Sequence, residues 1–122
     1  MPEVQETRLK DIYICLKNAK FDTYFVGQHK GDCISPYVVI KQGVSTKYDN
    51  LSTNVQYYDI LIYVPQNNPS KIEVLLDEVE QAMKALYPMI KSQNSRTEMF
   101  FDDSVKGWMR STLYSNYRKI DY

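Results

Sequence analysis

The chain is short of the residues that small-site chemistry usually draws on: it has one His, two Cys, one Trp and four Gly among 122 residues. A closed zinc site takes four Cys or His ligands, and His29, Cys15 and Cys33 cannot fill one. Two cysteines are also too few for a disulfide framework. Gly27, Gly31, Gly43 and Gly107 lack the spacing of a phosphate-binding or dinucleotide loop, so neither metal nor cofactor is expected. No apolar run approaches the roughly 20 residues that span a bilayer. The opening Met1-Pro2-Glu3-Val4-Gln5-Glu6 lacks the basic and apolar regions of a signal peptide, which predicts a soluble protein made in a cytoplasm. An excess of charge is missing too. Fifteen basic and fifteen acidic side chains cancel, so no overall field draws the chain to nucleic acid or to an anionic membrane.

What the chain has is tyrosine, eleven of them, within a hydrophobic fraction of 43%. Tyrosine joins an apolar ring to a polar tip and suits half-exposed contact surfaces. The length fits one domain, residues 1–122, and at this size about two thirds of the unfolded chain's surface can be buried. Leu9, Ile12, Leu16 and Ala19 recur at helical spacing and predict an amphipathic helix from Pro2 to Lys20. Phe21 to Ile34 reads as a loop with one short extended piece. Pro36–Lys41 and Val55–Val64 are rich in Tyr, Val and Ile and read as paired antiparallel strands. Between them, residues 43–54 are polar and too many for a tight hairpin, which predicts an arm.

After Pro65 and Pro69, Ser70 and Glu73 have the spacing of a capping box, and Ile72, Leu75, Leu76, Val79, Ala82, Met83 and Leu86 form an apolar stripe. Glu73, Asp77, Glu78 and Glu80 make the other face acidic. Arg96–Asp102 and Trp108 to about Lys119 then alternate as a closing hairpin. The fold expected is therefore α+β: a mainly antiparallel four-stranded sheet with two amphipathic helices on one face, in the order α-β-β-α-β-β.

His29-Lys30-Gly31-Asp32-Cys33 puts an imidazole, a carboxylate and a thiol within five residues, as a cysteine nucleophile would need. Such partners normally converge from distant parts of a fold, and no helix N-terminus is predicted at Cys33 to lower its pKa. A structural Cys beside a surface His is the better reading, and no enzyme is expected. The last strand is more telling, because Lys106, Arg110, Arg118 and Lys119 are interleaved with Trp108, Tyr114 and Tyr117. Rings among bases can stack on single-stranded nucleic acid, and the same residue types anchor protein interfaces. Neutral net charge and the neighbouring Asp102, Asp103 and Asp121 favour a protein partner. The acidic helix face and the basic terminal strand also suggest head-to-tail contact between copies, the kind that closes rings. The interface candidates are Lys47, Tyr48 and Asp49 in the arm, and Arg96, Trp108, Arg110, Tyr114 and Arg118 on the terminal hairpin.

In its N-terminal helix, in Cys33–Ile40 leading into the polar arm, in Tyr58–Pro65, and in the helix from Ser70 to Leu86 with its closing hairpin, the chain resembles the tail-terminator, or tail-completion, proteins of long-tailed bacteriophages and phage-like contractile particles. The resemblance lies in length, element order and character, and no functional residue transfers from it. It implies a homohexameric ring, assembled in the bacterial cytoplasm into a virion or tail-like particle. Such a ring binds the tail-tube protein, ends its polymerisation, and offers a surface to the head connector or collar, with sheath as a further contact. A head-tail stopper or other neck protein is the nearest alternative. A small nucleic-acid-binding module built on the basic aromatic strand is the alternative from another class.

Overall fold

The computed structural model describes residues 3–47, 53–87 and 90–119. Helix α1 (Glu3–Asn18) buries Ile12 and Leu16 completely. Its end is built by hydrogen bonds rather than by glycine: Lys20 takes a left-handed φ of 76°, and the Phe21 N–H reaches back to the Leu16 carbonyl at 3.1 Å. That reversal feeds a short strand, β1 (Thr23–Phe25), which pairs parallel with β2 (Tyr37–Lys47). Strand β3 (Thr53–Pro65) runs antiparallel to β2. Helix α2 (Lys71–Met83) buries Ile72, Leu76, Val79 and Met83 and continues into a tight turn at Lys84–Leu86. Strands β4 (Ile90–Arg96), β5 (Phe100–Asp102) and β6 (Gly107–Lys119) complete the chain.

The sheet has six strands in the order β1-β2-β3-β6-β4, with β5 lying beside β4 on the same edge of β6. Its spine is the β3–β6 pair, in unbroken register from Thr53 opposite Lys119 to Pro65 opposite Gly107. Because successive strand residues point to opposite faces, Tyr58, Ile60, Ile62 and Val64 of β3 join Val38 and Ile40 of β2, Tyr114 of β6 and the two helix stripes in one core. Each of those four β3 side chains is fully buried. Among the described residues no helix is long and apolar enough to cross a membrane.

This architecture corrects the expected four-stranded, mainly antiparallel sheet of order α-β-β-α-β-β. The sheet is mixed, with one parallel pair, and it has two more strands. Strand β1 falls in the loop segment expected to hold one short extended piece, and its three residues are too few to show a period. The single strand expected at Arg96–Asp102 is two. Arg96 ends β4, whose sequence Ile-Lys-Ser-Gln-Asn-Ser-Arg has almost no apolar alternation because it is an exposed edge. Asn94, with φ of 53°, marks the irregular stretch of that edge. Thr97 bridges the gap to β5, its N–H donating to the Ser111 carbonyl and its Oγ1 accepting from the Ser111 N–H, each at 3.0 Å. Of the expected arm at 43–54, the residues up to Lys47 belong to β2 and those from Thr53 to β3, with Lys47 opposite Asn54, and the rest lies outside the described residues.

Cys33 fastens the loop before β2 to the turn before β6. Its N–H donates to the Val105 carbonyl at 2.6 Å, and a Cβ on Gly107 would come within 2.8 Å of the Cys33 Cβ and 3.0 Å of the Val64 carbonyl oxygen. Only a glycine fits that approach without movement. Gly107→Ala is therefore expected to lower unfolding stability by about 1–3 kcal/mol in urea titration, as overpacked sites do. An unchanged midpoint would contradict this packing.

Candidate functional site

The acidic face of α2 meets a partner inside the chain. Arg96, at the end of β4, reaches across to three carboxylates spaced one turn apart on that helix. Its Nη2 lies 2.8 Å from Asp77 Oδ1 and 2.8 Å from Glu80 Oε1, its Nε donates to Glu80 Oε2 at 3.0 Å, and its Nη1 donates to Glu73 Oε1 at 3.2 Å. Arg110 of β6 pairs with the other oxygen of Glu73 and donates through Nε to the Thr97 carbonyl at 2.7 Å. Thr112 adds a hydroxyl donated to Glu80 Oε2 at 3.1 Å. Hydrogen bonds from Arg96 are the main cause that holds the Glu80 carboxyl below its ordinary pKa, against the opposing effect of burial. The same bonds raise the Arg96 guanidinium above its ordinary value.

The network changes two sequence readings. Glu73 does not close a capping box, since the Ser70 side chain makes no cap bond and Glu73 turns to the arginines. Part of the acidic helix face, expected to meet the basic strand of another copy, is met by Arg96 and Arg110 of its own chain.

The other expected interface residues divide as follows. Tyr114 is 3% exposed, a core residue whose hydroxyl is pushed up in pKa chiefly by burial. Trp108 donates Nε1–H to the Gln66 carbonyl at 3.2 Å and meets Phe101 edge-on at 5.2 Å, anchoring β5 and the β3–α2 turn to the sheet. Arg118 lies opposite Asn54, as Lys47 does on the other side, so the backbone brings these two basic positions to flank one residue at the far end of the sheet. Tyr48 and Asp49 fall outside the described residues. Arg110 and Tyr114 thus leave the interleaved pattern that single-strand nucleic-acid binding would use.

Around Cys33 the chemistry is quiet. Burial raises the pKa of its thiol, which donates to the Ser35 carbonyl at 3.4 Å. The His29 ring stacks on Tyr37 at 3.7 Å, Tyr37 stacks on Tyr63 at 4.8 Å, and Tyr24 closes on His29 edge-on at 5.0 Å. Imidazole and thiol are each engaged with near neighbours, the ring by stacking and the thiol by a backbone carbonyl. Cys15 is also a free thiol, donating to the Ala82 carbonyl at 3.3 Å.

The sheet face opposite the helices carries apolar residues that sequence reasoning did not single out as candidates. Odd-numbered positions there carry Val39, Leu61, Met109 and Leu113, all half-buried, alongside the tyrosine stack. Phe100, opposite Met109, is 48% exposed, and neighbouring Met99 is 42% exposed. A trough of about 780 Å³ crosses this face from β2 to β4, floored by Tyr57 and Leu113 and edged by Lys41, Asp59, Gln93 and Ser95. The signal was present in the second face of β3, where Tyr57, Leu61 and Tyr63 fill the positions between its core residues. An apolar run hides which face of a strand is the buried one.

The arginine network sets an acid limit on stability. Since the folded-state pKa of Glu80 is depressed, its contribution is complete above about pH 4.5, near the ordinary carboxylate value, and is lost as pH falls through the lower folded value. Unfolding free energy measured from pH 7 to pH 3 is expected to drop over that acid window, and the drop should be shallower in Glu80→Gln. Identical pH profiles for the two proteins would refute the assignment. Neither protein-family models nor curated proteins match this sequence.

Proposed function

We propose that this chain is a structural assembly subunit: a ring-forming tail terminator that caps the tube of a phage tail or phage-like contractile particle and presents a junction to the head connector or collar. The observation that carries the assembly part of this reading is the uncovered sheet face, where half-buried Val39, Leu61, Met109 and Leu113 lie beside exposed Phe100 with nothing packed over them among the described residues. Contiguous apolar surface of this kind marks contact sites. The resemblance in element order supplies the finer part.

The same reading holds that the protein is not an enzyme. Cys33 and His29, its best candidates for nucleophile and base, are engaged in a backbone hydrogen bond and a ring stack. Subunit contact moves away from the arginines of the terminal strands, since Arg96 and Arg110 already have carboxylate partners. It moves to the open face, with Lys47 and Arg118 at the far end of the sheet as contributors. The chain then acts by shape, closing on itself and on the last ring of tube protein.

Native mass measurement of the purified chain, alone and with polymerised tail-tube protein, tests this. A closed ring is expected, at six times the 14.4 kDa chain mass and held on tube ends. Leu61→Asp on the open face should shift the population toward monomer by tenfold or more, as loss of about 1.4 kcal/mol does. Monomer alone at every concentration, with or without tube protein, would overturn the proposal.

A further inference from the structure

Strand β4 is a border strand with little apolar hold of its own. Among the described residues it pairs with β6 alone, at Ile90, Lys91 and Ser92 and again at Arg96, with a register shift in between. Ile90 is its one buried residue. In the shifted stretch Asn94 takes a φ of 53°, and its N–H turns to the Ser92 hydroxyl at 3.1 Å. One end of the strand is therefore pinned by an apolar side chain in the core. The other end depends on Arg96, whose bonds run to α2, and on the Thr97 N–H, which donates to the Ser111 carbonyl at 3.0 Å.

The two sides of β4 look onto different parts of the molecule, because successive strand residues point to opposite faces. Arg96 stands on the helix side, against Asp77 and Glu80. Gln93 and Ser95 stand on the other side, where both edge the trough of the open sheet face, and the Gln93 amide donates to the Ser115 hydroxyl. Ser95 and Arg96 are adjacent in the chain, so a charge network on one face of the sheet sets the position of the trough's wall on the other. We propose that Arg96 is a latch: its grip on Asp77 and Glu80 keeps β4 docked on β6, and release of that grip lets β4 part from β6 and opens the trough along that wall while the rest of the sheet stays folded. The β3–β6 spine remains, since its register is unbroken and its side chains carry the core. A segment with few buried apolar contacts opens at lower free energy than the whole fold. The latch acts on the trough whatever covers it, so it does not depend on ring closure.

Acid is the trigger that the geometry provides. Glu80 faces Asp77 on its own helix, Arg96 on β4, and Thr112 and Tyr114 on β6, while Tyr114 also feels Cys15 of α1 and β3 adds Tyr58 and apolar side chains to the same core. Glu73, one turn before Asp77, meets Arg96 and Arg110. Burial raises the pKa of the Tyr114 hydroxyl and of the Cys15 thiol, so both stay neutral in acid and the carboxylates are the groups that titrate. Because the folded-state pKa of Glu80 is depressed, its part of the latch is complete above about pH 4.5 and is lost as pH falls through the lower folded value.

Amide hydrogen exchange on the full chain, followed residue by residue, tests this within a single strand. The Ser111 N–H points to the β4 side, where Thr97 Oγ1 accepts it at 3.0 Å, so alternation sends the Ser115 N–H toward β4 and those of Thr112 and Tyr114 toward β3. In Arg96→Ala at neutral pH, protection at Thr97, Ser111 and Ser115 is expected to fall about tenfold or more relative to Thr112 and Tyr114, as an opening free energy lower by about 1.4 kcal/mol gives. Arg96→Lys keeps the charge and loses the planar fork, so it is expected to show the same split, and it carries the test if the alanine variant does not fold. The unaltered chain should show that split when pH is lowered below about 4, with protection corrected for the intrinsic exchange rate at each pH. Equal loss at both sets of amides would mean that the network holds the whole fold rather than one strand, and would overturn the latch. Unchanged protection at Thr97, Ser111 and Ser115 would overturn it as well.

Discussion

Arg96, with Arg110 and Thr112 beside it, supplies the polar link between layers that otherwise meet through the apolar core. Helix α2 lies on the sheet by its buried stripe, and that contact alone lets a helix slide or rotate about its axis. A planar guanidinium with donors fixed in a fork fixes the helix's position over β4 and β6, because Asp77 and Glu80 must both be reached at 2.8 Å. Without it, Glu73, Asp77 and Glu80 would set like charges along one helix face, a repulsive arrangement. Since Glu73 and Asp77 remain more than half exposed, water screens part of the attraction, and Glu80, the most covered of the three, is the partner that matters most.

With three acids of the helix engaged by two arginines of the same chain, the molecule's outward character changes. The helix side of the sheet is closed by core and ion pairs. The opposite side keeps an apolar, tyrosine-bearing face and a trough lined from four strands. One layer of helices cannot cover both faces of a sheet, so a two-layer fold of this size leaves a face to water or to a neighbour. The assembly proposal rests on the amount of apolar surface kept there.

Elements with strong periods were legible in the sequence. The α2 stripe from Ile72 to Met83 and the β3 run from Val55 to Val64 stand out because each buries a full face, and burial writes itself as spacing. Strand β4 was not legible, since an edge strand of Lys, Ser, Gln and Asn has no buried face to betray it. Nor was the Arg96 network. Its partners lie 16 to 23 residues away in sequence, and only the folded chain shows that the basic hairpin returns to the acidic helix. Tyr114 shows the same limit at one residue: strand alternation gives two faces and does not say which is inward, so a ring assigned to a partner's surface lies in the core.

The claim on which the account turns is that the charges of α2 and the terminal strands act on each other within one chain. A double-mutant cycle of Arg96→Ala and Glu80→Ala, read by urea unfolding, measures that directly. A coupling of about 1–2 kcal/mol is predicted, the range of a partly buried charged hydrogen bond. A coupling within about 0.3 kcal/mol of zero, the scatter of independent sites, would mean that Arg96 faces solvent, free for a partner, and would contradict the account.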